Sequence, residues 1–560
     1  MTRIKKNTSN KLIKKRINYF FIVFLLVCTY LLYEIVNLTI FKNEEYKNKI
    51  KSQSSEVINL NSGRGTIYDR NNIALTDNEK QKILLVPKDV ISGNFENISL
   101  IKEATKLNEK DIYKAVQNQL SSEIIEIEIN YIDKNKIDDL KKKNILVKEK
   151  TKRYSNNNLL THLIGYIKTS ENEGVSGIEK YMNDELKDSN NNYISVFKAG
   201  INSSGLNYLK GSIQEISNEE KSTHIKLTID SKIQEKVEKI MDKENNPSAV
   251  VISKVENGEV IAMCSRPNFN QNKISSYHNS TKGELQNRVL SVTYPPGSVF
   301  KLVVLYAALE NNAVDENYRY YCTGSCKIGS SKSILKCNNN EAHGMETLSD
   351  ALSNSCNCAF YDIAKKVGSK KIFQAIKQLH LDEKVNLGID EEKDSKIPQE
   401  IALSNLAIGQ ADIEFTPLQI NQLTQIISNN GTYMPLKLYD SIIDNNKNSI
   451  KTYKTNKKTE IIAPYTMTKI KEMMMQVSKV GTAKTLVDLD GGCGVKTGTA
   501  QSSLNGKKIS HGWITGFYPE INPKYAITVI IEGTEKESRS ILFAEWQRAV
   551  ISIAVKLCCS

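Results

Sequence analysis

Apolar residues are distributed unevenly along the chain, and their spacing divides it into three regions. The stretch 17–41 is almost continuously apolar. The stretch 42–224 is rich in Asn, Lys, Glu and Ile and has only short apolar segments, such as Ile83–Pro87 and Ile124–Ile129. From residue 225 onward the apolar segments are longer. The pattern predicts an apolar helix, an elongated and modestly packed module, and a larger domain that holds the main core.

The last region predicts a sheet whose strands are separated in sequence. Ser248–Ser253 and Glu259–Cys264 flank the turn residues Glu256-Asn257-Gly258, which is a hairpin pattern. More elements are predicted near the C-terminus: strands at Gly494–Thr499, Gly512–Tyr518 and Tyr525–Glu532, and a helix at Ile541–Leu557. Mostly helical segments lie between the two groups of strands. The predicted fold class is therefore α/β in the α+β sense, with helices inserted between the first and last strands of a central sheet.

The apolar run 17–41 is long enough to cross a bilayer, which takes about 20 residues. Positive charge before a span keeps a short N-terminus in the cytoplasm, and the basic residues here are Arg3, Lys5, Lys6, Lys11, Lys14, Lys15 and Arg16. No small-residue cleavage site follows, so an uncleaved anchor is favoured over a signal peptide. We predict a cytoplasmic tail at 1–16, a single-pass anchor at 17–41, and extracellular domains at 42–224 and 225–560. Glu34 is expected near the outer interface or against a membrane partner.

The charge balance changes this picture little. The chain has 76 basic and 63 acidic residues and a formal net charge of +13. The basic residues form no long block and no nucleic-acid-binding motif accompanies them, so a solvated Lys-rich surface is favoured and nucleic acid is not an expected partner.

A serine with nucleophile-like surroundings lies at the predicted start of a helix. Tyr294-Pro295-Pro296-Gly297 ends regular structure, and Ser298-Val299-Phe300-Lys301 then opens an apolar run of helical length. Ser298 and Lys301 share one helix face, and a lysine whose pKa is lowered by burial can take the proton of a serine. The same S-x-x-K spacing recurs in Ser333-Ile334-Leu335-Lys336, without the turn and the apolar helix. The motif alone does not separate a nucleophile from a helix cap.

Two further segments supply groups that fit such a nucleophile. Ser355-Cys356-Asn357 lies between helical segments, which places a hydroxyl and an amide on a turn. Lys496-Thr497-Gly498-Thr499 lies in a predicted strand, with Lys496 and Gly498 on one side and the two threonines on the other. Together they offer a proton relay, a partner for a substrate amide, and a cation with hydroxyls for a carboxylate. Penicillin-binding proteins and class A β-lactamases carry this set of motifs.

Over nearly its whole length the sequence resembles the class B, monofunctional penicillin-binding proteins. The other segments that carry the resemblance are Arg64–Arg70, Gly174–Glu179, Leu227–Asp230, Gly409-Gln410, Thr416–Gln419 and Trp513–Tyr518. The resemblance implies a transpeptidase domain with an antiparallel central sheet flanked by helices, an elongated β-rich pedestal or dimerisation domain, and one N-terminal transmembrane helix. Ala411 and Val495 stand where the family usually has Gly, which bears on pocket shape and β-lactam affinity.

The resemblance further implies a peptidoglycan D,D-transpeptidase, a target of β-lactams, that cross-links stem peptides through an acyl-enzyme on Ser298. Lys301 would be the general base. Ser355 and Lys496 would pass the proton to the leaving amine, and Asn357 would hold the amide of the donor peptide.

Substrate binding is assigned by the same resemblance to the strand at Thr497, Gly498 and Thr499. The hydroxyls of Thr497 and Thr499 would bind the terminal carboxylate with Lys496, and the backbone N–H groups of Ser298 and Thr499 would form the oxyanion hole. No cofactor is expected for catalysis. A membrane glycosyltransferase is the expected protein partner, because residues 43–224 are too few for a glycosyltransferase domain.

Four potential metal ligands lie upstream of Ser355 with the spacing C-x3-C-x10-C-x5-H: Cys322, Cys326, Cys337 and His343. Three thiolates and an imidazole suit tetrahedral zinc. The favoured hypothesis is a structural zinc that braces the wall beside the Ser355 turn, with Asp350 as a possible substitute ligand. A disulfide between Cys322 and Cys337, or free thiols, are the alternatives. The cysteines near the expected pocket are interpreted as small buried residues: Cys356, Cys358 and Cys493.

Other functions share parts of this pattern. A membrane β-lactam sensor would need a cytoplasmic signalling domain, for which the N-terminus leaves no room. A β-lactamase has no use for a pedestal, and a non-catalytic scaffold would not need intact motifs. A D,D-carboxypeptidase, which passes the acyl group to water, remains an alternative as a side activity.

Overall fold

The structure is a computed structural model that describes residues 3–37, 42, 55–91, 95–120, 122, 124–187, 192–197, 200–201, 207–208, 213–217, 223–330, 332–410, 412–454, 458–504 and 507–533. The chain forms two compact units. The first unit comprises Met1–Leu60, Gln81–Lys150 and Asn192–Ser217, and the second comprises Asn61–Lys80, Thr151–Asn191 and Asn218–Ser560. The chain therefore passes between the units several times.

The strands of the described residues are, in chain order, β1 Ser55–Asn59, β2 Ile67–Tyr68, β3 Glu79–Pro87, β4 Ile124–Ile129, β5 Leu146–Lys152, β6 Ile167–Lys168, β7 Glu173–Gly174, β8 Asn192–Phe197, β9 Gly200–Ile201, β10 Asn207–Tyr208, β11 Ile213–Ser217, β12 His224–Leu227, β13 Ser248–Lys254, β14 Val260–Arg266, β15 Arg319–Cys322, β16 Ser325–Lys327, β17 Ile334–Lys336, β18 Gly344–Thr347, β19 Thr432–Tyr433, β20 Tyr439–Ile443, β21 Ser449–Thr452, β22 Thr459–Glu460, β23 Gly494–Leu504, β24 Lys507–Tyr518 and β25 Tyr525–Ile531.

The α-helices of the same residues are α1 Arg3–Val36, α2 Lys88–Ile91, α3 Phe95–Thr105, α4 Glu109–Asn118, α5 Ile137–Lys142, α6 Thr161–Ile164, α7 Gly177–Tyr181, α8 Asn183–Leu186, α9 Ser231–Met241, α10 Lys301–Glu310, α11 Leu348–Ser353, α12 Asn357–Val367, α13 Ser369–Gln378, α14 Leu403–Leu406, α15 Pro417–Ser428 and α16 Pro464–Lys479. Short 3-10 segments lie at Lys134–Lys136, Gln271–Tyr277, Gly297–Phe300, Asn338–Asn340 and Lys484–Leu486.

Helix α1 begins well before the predicted anchor, because the basic N-terminal segment is helical too. Its part Lys15–Val36 has a mean hydropathy of 2.2 and is long and apolar enough to cross a membrane. The helix is therefore compatible with a single-pass membrane anchor.

The first unit has a three-stranded sheet in the order β4-β3-β5. Successive side chains of β3 point to opposite faces. Leu84 and Val86 join the buried cluster formed with helices α2 to α5, whereas Ile83 and Leu85 pack with Ile58 of β1. The continuous apolar run in β3 therefore reflects a strand that is buried on both faces.

The second unit is built around a five-stranded sheet in the order β14-β13-β25-β24-β23, in which every neighbouring pair is antiparallel. The predicted hairpin and the three predicted late strands are confirmed, although β23 and β24 continue further, to Leu504 and back from Lys507. Helix α15 is buried along its whole length and packs on β13, β24 and β25. The helix predicted at Ile541–Leu557 lies outside the described residues, as does Ala411.

Segments upstream of residue 224 also complete the second unit. Strand β2 pairs in parallel with β12, in a four-stranded sheet of the order β2-β12-β20-β21. Next to it lies a buried ion network in which Glu179 accepts hydrogen bonds from Arg64 Nε at 2.9 Å and Arg153 Nε at 2.7 Å. Burial alone would raise the pKa of Glu179, but the guanidinium groups of Arg153 and Arg64 outweigh it and hold the pKa below its usual value.

Candidate active site

Ser298 lies in a 3-10 turn, Gly297–Phe300, that leads directly into α10. Gly297 has a φ of +53°, and a Cβ there would lie 2.6 Å from the carbonyl oxygen of Thr499 on β23. A Cβ at Gly409 would in turn lie 2.2 Å from the Gly297 oxygen, and Gly297 N donates to Gly409 O at 2.9 Å. Three backbones are thus stacked without side chains between them, which brings Ser298 beside Thr499.

Ser355 occupies the left-handed position at the end of α11. The N–H of Cys356 donates to Ala351 O at 2.9 Å and that of Ser355 to Leu352 O at 3.2 Å, which together form a Schellman turn. Ser355 accordingly has a φ of +53°, which is unusual for a residue other than Gly. Helix α12 starts immediately afterwards, with Cys356 Sγ accepting a hydrogen bond from Ala359 N. The turn therefore holds Ser355 and Asn357 at fixed positions.

Lys301 points from α10 into this turn. Its fully buried Nζ donates to Ser355 O at 2.6 Å and to Asn357 Oδ1 at 2.8 Å, and it lies 3.2 Å from Ser355 Oγ. Asn357 is itself held by the hydrogen bond from its Nδ2 to Lys336 O at 2.9 Å. A neutral amine has two protons to donate and a lone pair, so the two oxygen acceptors leave the lone pair of Lys301 free for a hydroxyl proton.

Lys496 reaches the same hydroxyl from the sheet. Its fully buried Nζ donates to Ser355 Oγ at 3.0 Å and to Thr497 O at 2.8 Å. Ser355 Oγ therefore lies between two amines. A hydroxyl can accept from a protonated amine and donate to a neutral one, so the three groups form a chain along which a proton can move.

Both amines lose their protons more readily than an exposed lysine. Burial lowers the pKa of Lys301 to about 8. Burial lowers the pKa of Lys496 well below its usual value, and the positive charge of Lys301 lowers it further. Two ammonium groups that share one hydroxyl repel each other, so near neutral pH the pair is only partly protonated and a base is available.

The other predicted substrate-binding residues line the same strand. Thr497 is half-buried, Gly498 is buried and Thr499 is exposed. The side chain of Gln410 donates to Thr499 O at 3.3 Å. The hydroxyl of Thr482, which follows α16, lies 2.6 Å from that of Thr497. Gln410 and Thr482 were not among the predicted site residues. Gln410 belongs to the family segment Gly409-Gln410, which could have singled it out, whereas Thr482 belongs to none of the quoted segments.

The second S-x-x-K segment has a different structure. Ser333 precedes β17, and Lys336 ends that strand, so the spacing there does not belong to a helix. Residues three apart on a strand point to opposite faces, so this pair cannot work together as Ser298 and Lys301 can.

A group of sulfur and nitrogen ligands lies directly behind the Ser355 turn. The ligand atoms of Cys322, Cys337, His343 and Cys356 all lie within 4.8 Å of one another. Three of these residues were predicted as ligands. Cys326 is not in the group and lies half-exposed on β16, whereas Cys356, interpreted from the sequence as a small buried residue, is in it.

Comparison with known families agrees with this architecture. Residues 248–546 match the family model described as the penicillin binding protein transpeptidase domain, and residues 59–212 match the penicillin-binding protein dimerisation domain. The first match covers more than half of the chain. The chain belongs to the penicillin-binding protein transpeptidase family. The two domains in this order identify it as a class B penicillin-binding protein, so the predicted family, its fold and its enzyme class, serine-type D,D-transpeptidase, are confirmed.

Several relatives of this class B penicillin-binding protein are similar over most of its length. Stage V sporulation protein D of Bacillus subtilis is 26% identical over 550 residues, which is 94% of this chain and 82% of the relative. In the complex of penicillin-binding protein PBP2 with MreC from Helicobacter pylori, the matched chain has a TM-score of 0.62 at 23% identity, covering 90% of this chain and 99% of that one. Penicillin-binding protein A of Mycobacterium tuberculosis, solved as a ceftriaxone acyl-enzyme, has a TM-score of 0.55 at 25% identity, covering 60% and 80%.

Proposed function

We propose that the protein cross-links peptidoglycan with Ser298 as its nucleophile. The observation that carries this assignment is the convergence of Lys301 and Lys496 on one hydroxyl, Ser355 Oγ, at 3.2 and 3.0 Å. Burying two amines beside one hydroxyl costs desolvation free energy on folding. Acid–base chemistry at Ser298 would explain why both amines are there.

In the proposed acylation step, the lone pair of Lys301 takes the proton of Ser298 as its oxygen attacks the penultimate D-Ala carbonyl. The negative charge that develops on that carbonyl oxygen is met by the backbone N–H groups of Ser298 and Thr499. The proton then moves through Ser355 to the departing D-Ala amine, and the acyl-enzyme remains. An amine of a second stem peptide takes the acyl group and returns the proton along the same path.

The charge of Lys496 changes with substrate binding in this proposal. A terminal carboxylate near Lys496 and Thr497 stabilises the ammonium form and raises its pKa. Lys496 then becomes the cation that holds the donor peptide and the proton source for its leaving group, and its charge favours the neutral form of Lys301. Asn357 would hold the peptide amide of the donor.

Labelling of the full-length protein with a fluorescent penicillin tests the nucleophile. The wild type and Ser333→Ala, which alters the second S-x-x-K segment, should be labelled equally. Ser298→Ala should not be labelled. Equal labelling of Ser298→Ala and the wild type would refute the assignment of the nucleophile.

A cross-linking assay separates the enzyme from the sensor and scaffold alternatives. The protein is supplied with polymerised glycan strands that carry stem peptides, and the cross-linked dimers are counted. We expect dimers and released D-Ala with the wild type and neither with Ser298→Ala. Penicillin labelling without any dimer would favour a sensor or scaffold, and D-Ala release without dimers would favour a carboxypeptidase.

We further propose that α1 anchors the protein with its N-terminus in the cytoplasm and the transpeptidase domain outside. The basic residues before Lys15–Val36 support this orientation. Protease added to intact cells should remove the transpeptidase domain.

We expect a membrane glycosyltransferase as partner, and the assembly of the H. pylori relative with MreC supports a role in a multiprotein complex. Co-purification from detergent, lost on exchange of α1 for an unrelated anchor, would test it.

For the cluster behind the turn we propose a structural zinc held by Cys322, Cys337, His343 and Cys356. The sulfur of Cys337 lies 3.7 Å from that of Cys322 and 3.7 Å from that of Cys356. Tetrahedral zinc with bonds of about 2.3 Å to sulfur separates its ligands by about 3.8 Å, whereas a disulfide needs about 2.05 Å. The spacing fits zinc better than it fits the disulfide alternative.

The surroundings of His343 support the same proposal. Among the described residues, His343 Nδ1 and Glu346 Oε2 are buried without a hydrogen-bond partner. Glu346 Oε1 lies 3.7 Å from His343 Nδ1, and a carboxylate beside an imidazole is a common way to orient a metal-bound histidine. Because Cys356 lies between Ser355 and Asn357, a metal there would brace the turn and take no part in the chemistry.

Metal analysis of the purified protein tests this site. We expect about one zinc per chain in the wild type. Cys337→Ser should lose it, and Cys326→Ser, a change at the neighbouring cysteine outside the cluster, should retain it. Absence of zinc from the wild type, or its loss only in Cys326→Ser, would contradict the proposed ligand set.

A further inference from the structure

Thr482 connects the two segments that carry Ser355 and Lys496. It follows α16 and precedes the strand β23 by a loop. Its backbone N–H donates to Ser353 O at 3.1 Å, in the last turn of α11. Its hydroxyl lies 2.6 Å from the hydroxyl of Thr497. One residue is therefore tied to both segments of the site, although it belongs to neither motif.

The hydroxyl pair has a specific chemical property. Each hydroxyl has one proton, and the hydrogen bond between the two uses only one of them. The second proton points elsewhere and can be donated to an acceptor outside the pair. Thr482 is exposed and Thr497 half-buried, so the pair is open to solvent. Because Thr497 directly follows Lys496 on β23, the remaining O–H is available to an anionic oxygen that binds along the strand near Lys496.

We propose that Thr482 is a positioning residue that makes the enzyme select acyl donors with a free terminal carboxylate. Thr482 holds the hydroxyl of Thr497 in the rotamer from which its proton reaches the carboxylate. The inference rests on the proposed function, because it presumes that acyl donors bind along β23. It goes beyond that function because it assigns carboxylate selection to a residue outside the nucleophile, the relay and the strand.

The test compares acylation of the full-length protein by benzylpenicillin and by its methyl ester, which lacks the carboxylate. We expect Thr482→Val to lower the rate constant for the acid roughly three- to tenfold, the size of one lost hydrogen bond. The rate for the ester should stay within about twofold of the wild type. Thr482→Ser, which restores the hydroxyl, should recover the acid rate.

A matched control and a double-mutant cycle make the role specific. Thr468→Val removes a hydroxyl from α16 that donates to Pro464 O within the same helix, and it should leave both rates unchanged. In the Thr497→Val background, Thr482→Val should have no further effect, because the residue acts through Thr497.

Each outcome bears on the proposal. An equal fall for the acid and the ester in Thr482→Val, or no fall for either, would overturn it and make Thr482 a structural residue or a neutral one. Additive effects of Thr482→Val and Thr497→Val would overturn the route through Thr497. Failure of the proposed function is distinguishable, since Ser298→Ala would then react with benzylpenicillin as the wild type does.

Discussion

The rate of acylation by penicillin should rise with pH and level off above a pH of about 8. In the proposed mechanism Lys301 must be neutral to take the proton of Ser298, and burial lowers its pKa from 10.5 to about 8. The neutral fraction is then about 0.09 at pH 7, about 0.5 at pH 8 and about 0.9 at pH 9. We therefore expect the second-order rate constant to rise about tenfold between pH 7 and pH 9. If Lys301 had an ordinary lysine pKa of about 10.4, the rate constant would instead rise about tenfold for each pH unit up to that value.

Stopped-flow measurement of acylation at penicillin concentrations far below saturation gives the profile of the free enzyme. Ser298→Ala, measured in parallel, corrects for hydrolysis of the β-lactam by alkali. A profile that is flat across this range, or that still climbs in proportion to hydroxide near pH ~10, would refute the view that burial of Lys301 produces the base.

Three further predictions concern other parts of the molecule. Ser355→Gly and Ser355→Ala both remove the relay hydroxyl, so the acylation rate of each should fall at least about a hundredfold. Because residue 355 has a φ of +53°, the glycine variant should be more stable than the alanine variant by about 1 kcal/mol in urea denaturation. Gly297→Ala should abolish penicillin labelling because its Cβ would meet Thr499 O, whereas Gly329→Ala, with a φ of +55° and nothing within 4 Å, should keep full labelling; equal labelling of both would contradict the backbone stack. Glu179→Gln should lower the free energy of unfolding by about 3 kcal/mol, because it removes the buried carboxylate that pairs with Arg64 and leaves Arg153 with Asp77 alone. Asp138→Asn in an exposed pair should change it by less than about 1 kcal/mol.

The central sheet could be predicted from local sequence, and the residues proposed for catalysis were chosen in the same way. The strands β13, β14, β23, β24 and β25 each carry a short apolar or alternating run bounded by turn residues, and such runs are informative without knowledge of the partners. The roles proposed for Ser298, Lys301 and Lys496 follow from residue type and motif. The convergence of Lys301 and Lys496 on Ser355 Oγ required coordinates, because it depends on how a helix, a turn and a strand far apart in sequence pack together.

The features that could not be predicted are those set by tertiary packing. Cys326 has the spacing of a metal ligand, but it lies on β16 outside the cluster, whereas Cys356 enters the cluster because the Schellman turn directs it there. The contact of Thr482 with Thr497 has no sequence signal at all, since a threonine after a helix is common. The return of segments 61–80 and 151–191 to the second unit was likewise not apparent, because the local composition of these segments resembles the rest of 42–224.

The stack of Gly409, Gly297 and Thr499 has a consequence for the evolution of resistance to β-lactams. The contacts in this stack run between main chains. Substitutions of side chains elsewhere in the cleft can therefore change which inhibitors bind, while the backbone N–H groups proposed to meet the oxygen of the attacked carbonyl keep their positions. Selection for poorer reaction with an inhibitor would therefore act on the side chains around the cleft. The two glycines would remain unchanged in resistant descendants that still build a wall.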